Sequence, residues 1–254
     1  MRDVLRDMAR ARRIVGRFFL GFLALALAYL GLLVFPDPLF AHARAGRFVT
    51  VHADAPIPSA ADGVIADAEA RVERSPLFVA GIQHHIYVCQ SAWRWRVLSN
   101  GAFHSGAVAM APFGRAIFTR PAHFERDRMV GPSGREATGE RTLAYFFAHE
   151  ITHTLTADFL GAIPYRSLPA WVREGYADYV ARGDTFDYEA NRALLLAGDP
   201  TLDPAQTGLY LRYALLITHL IDREGWSPEQ LLQTVPDRAA LEARVREGAI
   251  APVP

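Results

Sequence analysis

Residues 143–155 read Leu143-Ala-Tyr-Phe-Phe-Ala-His149-Glu150-Ile-Thr-His153-Thr-Leu155, a helix-length apolar run holding two imidazoles and a carboxylate. Residues four apart on a helix project from one face, so His149 and His153 can reach a single metal ion. Glu150 sits one step round, able to touch a water on that ion without being a ligand itself. The pattern predicts a helix from about Glu140 to Phe159, closed by Gly161 as a left-handed cap. Everything else in the chain is read relative to this helix.

A catalytic zinc centre takes three protein ligands and one position for water, so two histidines call for a third donor. The single cysteine, Cys89, excludes both an intrachain disulfide and a Cys-based zinc site, and reads as a small core side chain. The candidate is Glu174, in Pro169-Ala-Trp-Val-Arg-Glu-Gly-Tyr-Ala-Asp-Tyr179, twenty-one positions after His153. That interval lets the first helix end, a loop turn, and a second helix (about Pro169 to Arg182) present a carboxylate beside the imidazoles. Gly175 removes a side chain next to Glu174, where two helices must approach closely. Asp178, one turn further on the same face, is placed to accept the remaining N–H of His149. Such a contact fixes the tautomer and raises ligand basicity.

The N-terminus has a different logic. Arg2, Arg6, Arg10, Arg12, Arg13 and Arg17 outnumber Asp3 and Asp7, and Phe18 to Phe35 is then an uncharged 18-residue apolar run stopped by Pro36-Asp37-Pro38. Its length approaches a bilayer span. Arginines ahead of it place residues 1–17 in the cytoplasm and the chain after residue 36 across the membrane. The run exceeds the 7–15 residues usual for a cleavable signal, which favours a retained anchor over 18–36. Ala41-His42-Ala43 has the form of a cleavage site, and cleavage after Ala43 would release a secreted protein. Residues 37–45 then form a linker and 46–254 one domain.

In that domain, residues 46–54 alternate as a first strand, Ser59 caps a helix running to about Arg74, and Ile82 to Gln90 is a second strand. His84 and His85 are adjacent within it, so they face opposite sides of a sheet and cannot share a metal. Trp93-Arg94-Trp95-Arg96 offers a membrane-surface or nucleic-acid patch on one reading and ordinary packing on the other, and packing is preferred for so short a run. Residues 106–111 and 116–120 flank Pro112-Phe113-Gly114 as a β-hairpin with a type I turn. The small side chains of its first arm, Ala107 and Ala109 among them, leave backbone accessible to an added peptide strand. Residues 121–140 read as a surface loop. Helices follow at about Tyr188 to Leu196 and Tyr210 to Arg223, then a Ser227-Pro-Glu-Gln230 capping box, then a last helix after Pro236. All 27 basic residues are Arg, balanced by 27 acids. A net charge of zero gives no reason to expect nucleic acid as a partner.

The motif pair is specific enough to carry a likeness. His149-Glu150-x-x-His153 followed by Trp171-x-x-Glu174-Gly175-x-Ala177 resembles the gluzincin zinc metallopeptidases, most closely the bacterial peptidase MA-like group. The likeness covers about residues 105–225. It implies an α+β, zincin-like fold: a small mixed β-sheet lobe packed on the metal-binding helix, then a helical C-terminal lobe, with the cleft between them. It also implies one Zn2+ per chain on His149, His153 and Glu174, and Glu150 as general base. Tyr210, with Tyr213 one turn on, resembles a tyrosine of the family's late helix that steadies the oxyanion; His219, His104 and His123 are weaker candidates. The expected function is a single-pass inner-membrane peptidase cutting peptide or protein substrates outside the cytoplasm. The competing reading is a zincin-shaped envelope binding or assembly module that keeps its metal for stability.

Overall fold

The computed structural model describes residues 2–112 and 114–248, with side chains from Arg12 onward. In chain order the elements are α1 (Arg2–Val34), β1 (His42–Ala45), β2 (Val49–Ala53), α2 (Ala61–Glu73), β3 (His84–Val88), α3 (Ala92–Leu98), β4 (Ala107–Ala109), β5 (Ala116–Thr119), β6 (Ala122–His123) and β7 (Arg128–Met129). A helical half follows: α4 (Leu143–Leu160), α5 (Ala162–Ser167), α6 (Ala170–Arg182), α7 (Tyr188–Ala197), α8 (Pro204–Thr207), α9 (Leu211–Thr218), α10 (Pro228–Gln233) and α11 (Arg238–Glu247). The strands, interleaved with α1–α3, all lie before residue 130 and a run of helices follows them, the segregation of an α+β domain.

Five strands form one sheet in the order β1-β2-β3-β5-β4, antiparallel at both edges and parallel through the middle. Strand β2 shows how the inner face is buried. Val49, Val51 and Ala53 point to the core while Thr50 and His52 lie on the other side, the period-two alternation of a strand. Glu69 of α2 is buried and its Oε1 accepts the N–H groups of Phe48 and Val49, at 2.8 and 3.0 Å. A buried carboxylate thus latches α2 to the start of β2. His84 and His85 do face opposite sides: His84 Nδ1 lies 3.3 Å from Thr154 Oγ1 of α4, and His85 Nδ1 lies 3.0 Å from His52 Nε2 on the outer face.

Helix α4 lies against the inner side, between α2, the edge strand β4 and α6. Its N-terminus is capped twice. Thr142 Oγ1 accepts from Tyr145 N–H at 3.1 Å, and Asp127 Oδ1 accepts from Ala144 N–H at 3.0 Å. Thr152, Thr154 and Thr156 turn their hydroxyls onto carbonyls one turn back, so their burial leaves no hydroxyl proton unsatisfied.

Several sequence expectations need correction. The supposed linker 37–45 contributes β1, an edge strand on β2. Ser59 does not cap α2 through its side chain; its carbonyl accepts from Asp62 N–H, and α2 begins at Ala61. The supposed surface loop 121–140 contains the β6–β7 hairpin and buries Phe124 and Met129. The β4–β5 connection closes through Gly114 N–H to the Met110 carbonyl, a five-residue closure instead of a four-residue type I turn. Gly161 does take the positive φ expected of it, +81°, but its ψ of 166° lies outside the αL cap geometry, and it opens α5, which the sequence did not announce. The helix expected over 210–223 is α only to Thr218 and continues as a π-helical turn, His219–Arg223. The capping box at Ser227 and Gln230 is formed in both directions.

On the outer sheet face a second apolar cluster gathers Phe40, Tyr87, Cys89, Trp95, Leu98 and Phe118 together with Leu33 of α1. Residues Arg12–Val34 are long and apolar enough to cross a membrane, and most of their side chains are exposed.

Candidate metal centre

Helix α4 carries His149 and His153 one turn apart, and α6 packs alongside with Glu174 facing them. Glu174 Oε2 is 3.5 Å from His149 Nε2 and 3.4 Å from His153 Nε2. Ligand bonds of about 2.0–2.1 Å directed to tetrahedral corners separate neighbouring donor atoms by about 3.3–3.4 Å. Glu174 Oε2 therefore stands near that spacing from both imidazole nitrogens, the three donor atoms lie within 4.8 Å of one another, and the cluster can hold a metal ion. Glu174 turns its other oxygen to Arg173 Nε, 3.1 Å away, which leaves Oε2 free for the ion.

Behind the donors is a buried polar relay. His149 Nδ1 lies 3.3 Å from Asp178 Oδ1, close but not aligned into a hydrogen bond. Tyr145 Oη donates to the same Oδ1, and Arg182 Nε donates to Oδ2 at 2.8 Å. Arg182 Nη1 continues to Glu140, 2.6 Å away, just ahead of α4. Asp178 and Arg182 are almost wholly removed from solvent, where a carboxylate needs such partners to stay ionised.

The electrostatics follow from the packing. Burial alone would lower the imidazole of His149, but Asp178, Glu174 and Glu150 facing it outweigh that and raise it to about 10. Burial would raise Glu174, yet His153 and His149 hold its carboxyl well below the ordinary carboxylate range. Burial likewise acts upward on Asp178, but His149 and Arg182 hold it low. For Glu150 burial wins: its carboxyl is raised despite the pull of His153 and His149.

One consequence is testable in the metal-free protein. His149 is held protonated at pH 7, while a metal ligand must offer a free nitrogen lone pair. Metal binding at pH 7 should therefore release about one proton, and affinity should rise with pH through the neutral range. Titration calorimetry in two buffers of different ionisation enthalpy measures this; identical heats in both would show that no proton leaves.

The cleft over this cluster, about 700 Å³, has β4 as one wall and Tyr165, Arg173 and Tyr210 on the other side. Met110 N–H donates to Ala116 O at 2.9 Å, and Arg120 N–H donates to Gly106 O at 3.0 Å. Bonded pairs alternate with non-bonded ones in an antiparallel ladder. Ala107 and Ala109, opposite Thr119 and Ile117, therefore direct their backbone polar groups away from β5 and into the cleft. The Ala109 backbone is among the groups that pull the Glu150 carboxyl downward against burial. Compared with protein-family models, curated proteins and solved structures, the chain matches none of them.

Of the residues singled out from sequence, His149, Glu150, His153, Glu174, Asp178, Ala107, Ala109 and Tyr210 converge on this one place. The Tyr210 ring lies parallel to the His149 imidazole, centroids 6.0 Å apart. Tyr213 does not line the cleft; it stacks behind Tyr210 at 5.9 Å, under the Arg238 guanidinium. His104 lines the cleft mouth. His219 is buried in the helical half between Tyr188 and Glu224, and His123 is exposed beside Glu136. Sequence reasoning missed Tyr145, although it lies one turn before His149 at the spacing that relates His149 to His153. It also missed Tyr165, whose ring meets His153 edge-on at 6.5 Å; no periodicity marks that short helix.

Gly175 does serve a close approach, but to α9 and not to the metal helix. A Cβ there would lie 2.8 Å from Ile217 Cγ1 and 2.9 Å from the Tyr213 carbonyl oxygen. Gly175→Ala should therefore push α6 off α9 and drag Glu174 with it. The expected cost is about 1–3 kcal/mol, a Tm fall of roughly 2–4 °C per kcal/mol, together with weaker metal binding. A variant with unchanged Tm and affinity would show that the helices yield freely.

Proposed function

We propose that the protein is a zinc-dependent peptidase, anchored by its N-terminal helix and acting outside the cytoplasm. The observation that carries this reading is the convergence of His149, His153 and Glu174, donor atoms within 4.8 Å of one another, with the Glu150 carboxylate beside them at an open-sided cleft. When bound, zinc would polarise a carbonyl and bring a water's pKa toward 7. The exposed backbone of β4 receives a substrate segment as an added strand, laying its peptide bond across the site. Glu150 takes the proton of the attacking water as the water oxygen adds to the scissile carbonyl carbon. Its raised pKa moves it toward the range where one group serves well as base and then as acid, so it can return that proton to the leaving amine. Burial, with Glu174 and Glu150 nearby, keeps the Tyr210 hydroxyl protonated, hence a donor for the developing oxyanion.

The six arginines before residue 18 support a cytoplasmic N-terminus. A purely structural metal site has no need of a base at an open position, which weighs against a silent binding module. The test is cleavage of an unfolded-protein or peptide library by the full chain in detergent, with zinc content measured in parallel. Chelator-sensitive cleavage by protein holding one zinc per chain is expected. Zinc-replete protein that cuts nothing would turn the assignment to the binding module.

A further inference from the structure

Helix α3 makes a contact that the proposed chemistry does not use. Tyr29 of α1 donates its hydroxyl to the Val97 carbonyl of α3 at 2.9 Å, and Leu33 is buried in the outer-face cluster alongside Trp95 and Leu98. Tyr29 precedes Val34, the end of the apolar helix, by five residues, about 7.5 Å along a helix axis. Interfacial helices sink their apolar faces about 5–10 Å into the boundary between headgroups and acyl chains. The hydrogen bond therefore fixes α3 at that depth whenever α1 spans a bilayer.

What α3 presents there is suited to the place. Trp95 and Leu98 face the sheet, while Trp93 and Val97, one turn apart, are 54% and 39% exposed, with Phe103 just beyond them at 49%. Indole rings collect at the membrane–water boundary, where one edge is apolar and the other wet. Arg96, exposed on the same helix, can meet lipid phosphates. A groove lined by Trp95, Phe103, His104 and Arg120 begins beside α3 and shares His104, Gly131 and Pro132 with the cleft over the metal ligands.

We infer that the bilayer surface is a docking partner of the folded domain itself: Trp93, Val97 and Phe103 lie in the headgroup layer and hold the mouth of the cleft against the membrane. The inference rests on the anchor reading of α1, so the test separates the two. Cys89, the chain's one native thiol, is fully buried, so introduced surface thiols take a nitroxide label selectively. The full chain in phospholipid nanodiscs is labelled singly as Leu25→Cys, Trp93→Cys and Val79→Cys, the last exposed at the opposite end of β3. Collision with oxygen relative to a water-soluble nickel chelate reads the depth of each label. Docking predicts a deep Leu25 label, a Trp93 label at headgroup depth and a Val79 label in water. A deep Leu25 label with Trp93 in water overturns the docking and leaves the anchor standing. A Leu25 label in water overturns both.

Discussion

Replacing Glu150 by Gln is expected to leave one metal ion per chain and to lower peptide turnover by about 10²–10⁴-fold, the usual contribution of a positioned acid–base group. The amide keeps the shape of the side chain and its place beside Ala109, but it cannot take a proton. Neither oxygen of Glu150 is among the three donors of the metal cluster, so metal content should not change. His153→Ala, by contrast, removes a donor and should lose metal and turnover together. Elemental analysis beside a single peptide assay distinguishes the two variants. Full turnover in Glu150→Gln would eliminate the base, whatever the metal does.

The second large effect belongs to Asp178. It does not line the cleft, and a neutral Asn there is nearly isosteric. Yet Asp178→Asn removes the charge facing His149 and half of the pairing of Arg182, which is 3% exposed. Loss of such an orienting carboxylate weakens metal binding by about 10–100-fold. Stranding a buried guanidinium adds up to about 3–5 kcal/mol of destabilisation, tempered here because Glu140 still holds Nη1. Metal affinity by competition and Tm of the metal-free chain should therefore both fall. The Tyr145→Phe variant, which removes only the hydroxyl on Asp178, should show the smaller change in each. If Asp178→Asn bound metal as tightly as the parent, the relay from Glu140 to His149 would have no part in holding the ligand.

The centre was legible because helical spacing is rigid. Four-residue steps put His149 and His153 on one face, and Glu174 with Asp178 on another, before any tertiary fact was known. The pairing of those two helices came instead from the need for a third donor, which spacing within one helix does not supply. What the sequence hid depends on contacts distant along the chain. His42–Ala45 is a strand only because β2 offers it an edge, and its own residues carry no run of β-branched side chains. The hairpin within 121–140 is short and charged, and it exists because Phe124 and Met129 find the core. Gly175 was read as important for a sound reason and assigned the wrong neighbour, since periodicity names a face but not what packs on it. The π-helical turn after Thr218 leaves no mark in the hydrophobic pattern, which continues evenly through Leu220 and Ile221.

Only residues 35–41 separate α1 from β1, and a short 3₁₀ turn and the buried Phe40 take up most of them. A chain so joined has no leash on which the folded domain could swing. If the proposed peptidase reading holds, its blade would stand at one height, and choice among substrates would become a matter of altitude as well as of side chains: a peptide bond would be within reach only if brought to that level in extended form.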